Sequence, residues 1–123
     1  MYNYIALFTG VQVEGKNVVE MERMEYAFHT FSLRNECAYE PTGDVTFASI
    51  NPDAESLVGG VERMVNAVLI IDVTAVVLHS EELRALLDEN ADETVEVASG
   101  FVRSRADLEA LYAQSLEAHN HEH

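Results

Sequence analysis

Four groups of side chains in this sequence are of types that do chemistry. Asp72 follows the apolar run Val68-Leu69-Ile70-Ile71. A carboxylate at the end of a buried strand can accept a phosphoryl group or attack as a nucleophile. Either role needs partners: further acids and a lysine nearby, or an aspartate two residues on. Lys16 is the chain's one lysine and position 74 is Thr. Asp72 therefore reads first as a strand end or turn cap. Cys37 and His29 could form a thiol nucleophile and its base, but no third group orients them, so Cys37 reads as a structural cysteine. His79 falls at an expected strand end, where an imidazole has acid–base capacity. In the tail, His119 and His123 are spaced i, i+4 with His121 and Glu122 between, a weak ligand set for Zn²⁺ or Ni²⁺. Such a tail binds metal adventitiously more readily than it builds a site, and no cofactor is implied. Neither GxGxxG nor a Walker motif occurs, and Gly59-Gly60 lies inside a helical pattern with no lysine after it.

Charge is the larger signal. The 123 residues carry 22 Asp and Glu against 7 Lys and Arg, a net charge of -15. Direct binding to nucleic-acid phosphates or to an anionic membrane is disfavoured. The densest block is Glu81, Glu82, Asp88, Glu89, Asp92, Glu93 and Glu96, opposed only by Arg84. Fifteen charges correspond to about 26 Å of duplex DNA, against a diameter of roughly 35 Å for a compact chain of this length. The total is duplex-like. Such a field speeds encounter with a basic partner.

These residues need a frame. Hydrophobic residues make up 48% of the chain, which rules out disorder as its main state. Residues 4–13 suit a buried strand, and 14–17 have turn chemistry before a hairpin partner or helix at 18–19. Residues 20–37 read as helix from the stripe Met21, Met24, Phe28 and Phe31, although Ala27-His29-Phe31-Leu33 also alternates as a strand does. Residues 45–50 form a strand. Asn51-Pro52-Asp53 opens a helix whose face is Ala54, Leu57, Val58, Val61, Met64, Val65 and Val68. Gly59-Gly60 within it marks either a close backbone approach or a break. Residues 67–78 read as a buried strand, and Ser80 as the N-cap of a helix over 81–89. Residues 94–102 read as a strand, and Ser104 to Asp107 has capping-box spacing before a helix with Leu108, Leu111, Tyr112, Ser115 and Leu116.

The expected fold is α+β, or α/β. A mixed sheet of four to five strands carries three to four helices, with an N-terminal hairpin followed by β-α-β-α-β-α. Residues 1–118 form one domain, and 119–123 a flexible His-rich tail. One cysteine and no basic leader point to a reducing, cytoplasmic setting.

The stretch Ile71-Asp72-Val73-Thr74-Ala75-Val76, then Ser80, then Leu83-Arg84-Ala85-Leu86-Leu87 resembles the central strand and helix of STAS domains, the anti-sigma-factor-antagonist fold. The resemblance implies a regulatory switch with Ser80 as the phosphorylated serine. The family's Asp-Ser-Ser-Gly-like turn is replaced here by His79-Ser80-Glu81-Glu82.

The leading expectation is a non-catalytic protein-interaction module. Glu81, Glu82, Asp88, Glu89, Asp92, Glu93 and Glu96 would bind and block a basic protein surface, such as the nucleic-acid-binding face of a partner. Small viral or mobile-element inhibitors work in this way. The alternatives are the STAS-like switch, or a small enzyme or metal-binding protein using Asp72, His79 or the histidine tail. A homodimer is compatible with each.

Overall fold

The computed structural model describes residues 2–9, 26, 34–39, 41–69 and 74–120. The elements are β1 (Tyr2–Thr9), β2 (Arg34–Tyr39), β3 (Asp44–Ser49), α1 (Ala54–Leu69), β4 (Thr74–His79), α2 (Ser80–Glu89), β5 (Thr94–Ala98), β6 (Phe101–Ser104) and α3 (Arg105–Asn120). The fold is α+β. One sheet has the order β2-β3-β1-β4, and β5 and β6 form a second, two-stranded sheet.

β1 is central because both of its faces are apolar. Tyr4, Ala6 and Phe8 join Val45, Phe47, Val61, Met64, Val65, Ala75 and Val77 in one core. Ile5 and Leu7, on the other face, join Leu83, Leu87, Val95, Phe101, Leu108 and Leu111 in a second core. The period of two thus feeds two cores from one strand. α1 covers the first face; α2, α3 and the β5–β6 hairpin cover the second. Tyr4 and Phe47, opposite each other in the β1–β3 ladder, stack with centroids 5.4 Å apart.

Every strand pair among the described residues is antiparallel. The expected mixed, partly parallel sheet is corrected on this point. α1 returns the chain from β3 across β1 to β4, so the two strands it connects both run opposite to β1. The expected strand over 67–78 is also corrected: α1 continues to Leu69 and the strand begins at Thr74. Residues 94–102 are not one strand but most of a hairpin, with Gly100 at φ 84 in the turn. Cys37 lies on a strand, against the helix expected through it, whereas Tyr26 is helical. The N-terminal hairpin, the rest of 20–33, His29 and Asp72 lie outside the described residues. So do residues 121–123 and the side chains of 118–120; α3 itself runs to Asn120, past the expected start of the tail.

Helix ends follow the local sequence. The Asp53 carboxylate accepts the Glu55 N–H at 3.1 Å, and Asn51 accepts the Asp53 N–H at 2.9 Å, which starts α1. Gly59 and Gly60 lie within a continuous α1, so they do not break it. A Cβ on Gly59 would meet only the tip of Arg63, and one on Gly60 nothing within 4 Å, so no backbone approaches closely either. The Ser104 hydroxyl accepts the Asp107 N–H at 3.0 Å and caps α3 as the spacing predicts. Among the described residues, no helix is long and apolar enough to cross a membrane.

Candidate functional site

The seven carboxylates of the 81–96 block are all exposed. Glu81 and Glu82 occupy the first turn of α2, and Asp88 and Glu89 its last. Asp92 and Glu93 follow in the loop, and Glu96 projects from β5. The first pair favours the helix dipole. The second opposes it, at about 0.3–1 kcal/mol each, and the last turn of α2 has no basic residue. The helix dipole therefore does not favour Asp88 and Glu89 at that place. Arg84 reaches Asp88 at 3.3 Å with both side chains more than half exposed, and its guanidinium lies 5.7 Å from the centre of the Tyr112 ring. Contacts with Tyr112 first and Asp88 second raise its pKa.

Glu82 does a structural task within this set. Its carboxylate accepts the His79 N–H at 2.9 Å. α2 consequently starts at Ser80, and His79 is the N-cap rather than Ser80. The Ser80 side chain is buried, its hydroxyl 2.7 Å from that of Ser115, which donates to the Tyr112 carbonyl at 2.7 Å. This hydroxyl is out of reach of a modifying enzyme.

The layer made by α2, the hairpin and α3 (residues 80–120) holds ten carboxylates and three arginines. Arg103 is drawn inward. Its Nε donates to Asp44 Oδ2 at 2.7 Å, and its Nη2 to Asp44 Oδ1 at 2.9 Å and to the Phe8 carbonyl at 2.7 Å. The hydrogen bonds to Asp44 raise the arginine's pKa against the opposing effect of burial. Arg105 pairs with Glu109 at 3.2 Å and donates to the Asn90 carbonyl. On the opposite face, α1 and its leading turn carry Asp53, Glu55, Glu62 and Arg63. Among the described residues, the negative excess is thus greater over the face that α2, the hairpin and α3 cover.

The other sequence-flagged groups do not converge. The His79 ring lies 4.6 Å from that of Tyr4 and edge-on to that of Tyr2, with Nε2 3.1 Å from the Pro52 carbonyl oxygen. Tyr4 donates to the Asn51 carbonyl. Burial is the main cause of its raised pKa. Cys37 is half-buried on β2, and its carbonyl accepts from Thr46 and Gln114. Among the described residues, no group of three or more His, Cys, Asp or Glu could hold a metal ion.

Sequence reasoning did not anticipate the buried Asp44–Arg103 pair. It also missed the Tyr39 hydroxyl donating to Asp107 at 2.8 Å, and a cleft of about 480 Å³ lined by Glu93, Thr94, Ser104, Arg105, Ala106 and Glu109. The α3 capping motif and Glu93 of the acidic block were the sequence signals near that cleft.

A family described as "Protein of unknown function (DUF1697)" matches residues 1–122. Among solved structures, the chain is similar to conserved bacterial protein SP0830 from Streptococcus pneumoniae. Identity is 26% and the TM-score 0.53, over 74% of this chain and 49% of that one. The chain spans about half the length of that structure. No curated protein matches.

Proposed function

For this chain, which belongs to the DUF1697 family, we propose a non-catalytic role: it binds a basic surface of a partner protein and blocks or regulates it. The reading is carried by the placement of the seven exposed carboxylates on the α2–hairpin–α3 layer, with Arg84 as the one arginine among them. Asp88 and Glu89 add weight, because they stand where the helix dipole opposes them. A charge comparable to that of a short duplex makes a nucleic-acid-binding face a fitting target. The field steers a cationic surface toward this layer and repels nucleic acid itself. An intracellular setting, where nucleic-acid-binding proteins are abundant, fits this role.

The test is capture of partners from the native host at several salt concentrations, with the parent chain and with Glu81→Lys/Asp88→Lys/Glu89→Lys/Asp92→Lys. Glu82 is left intact because it caps α2. Partners held by the parent, released as salt rises and absent from the reversed variant are expected. Equal capture by a folded reversed variant would remove the reading.

A further inference from the structure

Among the described residues, β4 is an edge strand of the four-stranded sheet, and its outer side has a definite pattern. The Ala75 N–H donates to Glu62 Oε2 at 2.7 Å, so Ala75 points its backbone groups away from β1. By the period of two, Val77 and His79 do the same. The His79 N–H is taken by Glu82. Between these two, the Val77 N–H has no partner among the described residues. Among the described residues, two carboxylates from helices on opposite faces of the sheet therefore flank one unpaired rung.

We propose that this edge takes an extended basic segment of a partner protein as an added strand. Val77 supplies the central rung. Glu62 and Glu82 turn from the backbone to lysine or arginine side chains of the incoming segment. The carbonyl oxygens of that segment replace the carboxylates on the Ala75 and His79 N–H groups, so no backbone donor is left unpaired. Main-chain hydrogen bonds then give affinity, and the flanking acids give selectivity for basic residues.

Charge selects this occupant over a second copy of the chain. Pairing β4 with its twofold mate would bring Glu62 of each copy toward Glu82 of the other and join two bodies of net charge -15. The inference rests on the proposed binding of basic partners, and it adds where and how the contact is made.

The experiment uses the full chain and two probes. One is a short acetylated peptide of alternating Arg and Val; the other is the same peptide N-methylated at every residue. The parent peptide is expected to bind and to slow hydrogen exchange at the Val77 amide. The methylated peptide, equal in charge, should bind at least about tenfold more weakly, as loss of main-chain hydrogen bonds requires. Glu62→Gln/Glu82→Gln, which keeps both acceptors and removes both charges, should weaken the parent peptide. Equal binding of both peptides, or binding without protection at Val77, would overturn strand addition and leave the acidic-layer reading standing. Binding of neither peptide would overturn it too, and the extract experiment would then decide the broader reading alone.

Discussion

Asp44 and Arg103 form a buried bidentate ion pair that fastens β6 to the ends of β1 and β3. Asp44 is fully buried and the Arg103 side chain is 11% exposed. The carboxylate also accepts the Phe8 N–H at 3.0 Å and the Thr42 hydroxyl at 2.6 Å. The same guanidinium reaches the Phe8 carbonyl, so both backbone groups of one β1 residue are held by the pair. The carboxylate accepts four hydrogen bonds and the guanidinium donates four, which offsets the desolvation of the pair.

Removing one member should show this. Arg103→Met leaves a buried carboxylate without its cation and should cost about 3–5 kcal/mol. Arg103→Lys keeps the charge but cannot serve both Asp44 oxygens and Phe8 at once, so about 1–3 kcal/mol is expected. Urea denaturation of both variants measures the two losses. A near-neutral Arg103→Met would mean that the hairpin is held by its apolar contacts alone.

Glycines in this fold separate by conformation. Gly60 is helical with open space where a Cβ would lie, so Gly60→Ala should stabilise the protein by about 1 kcal/mol. Gly100 sits at φ +84, and Gly100→Ala should destabilise by roughly 1 kcal/mol or more despite equal space. Thermal melting of the two variants should give shifts of opposite sign.

Much of the frame was legible in the sequence. β1 declared itself by being apolar on both faces, and α1 and α3 by their spacing. Two runs misled for a physical reason. Residues 67–78 are apolar except at Asp72 and Thr74, and apolarity alone does not separate a helix end from a buried strand. Residues 94–102 contain Ser99-Gly100, a turn signal inside an otherwise strand-like run. The acids of 81–96 were legible as exposed because they flank Leu83, Leu86 and Leu87 at helical spacing. That Glu82 caps α2 is a local spacing, hidden because His79 rather than Ser80 is the N-cap, whereas that Glu62 reaches β4 depends on tertiary packing. The Asp44–Arg103 pair spans 59 positions, and no local pattern reports it.

The Ser80–Ser115 contact distinguishes packing from signalling. Ser80→Ala should cost only about 1 kcal/mol, because Ser115 retains its bond to the Tyr112 carbonyl. Ser80→Asp would place a charge at a position 5% exposed and should cost several kcal/mol. Incubation of the folded chain with kinases should leave Ser80 unmodified. Stoichiometric phosphorylation of the native protein would show that α2 and α3 separate.

Alkaline pH should loosen the contact between β2 and α3. The Tyr39 pKa is raised above its ordinary value, first by burial and then by its hydrogen bond to Asp107. In the unfolded chain the phenol loses its proton near pH 10. The folded state then binds more protons than the unfolded one, so stability falls as pH rises. The stabilisation is complete below about pH 10 and is lost between there and the higher folded pKa. Tyr39→Phe lacks both the hydroxyl and its titration. Urea midpoints followed from neutral pH into this range should fall less steeply for Tyr39→Phe than for the parent. Parallel curves would show that the Tyr39–Asp107 bond does not distinguish the folded from the unfolded state.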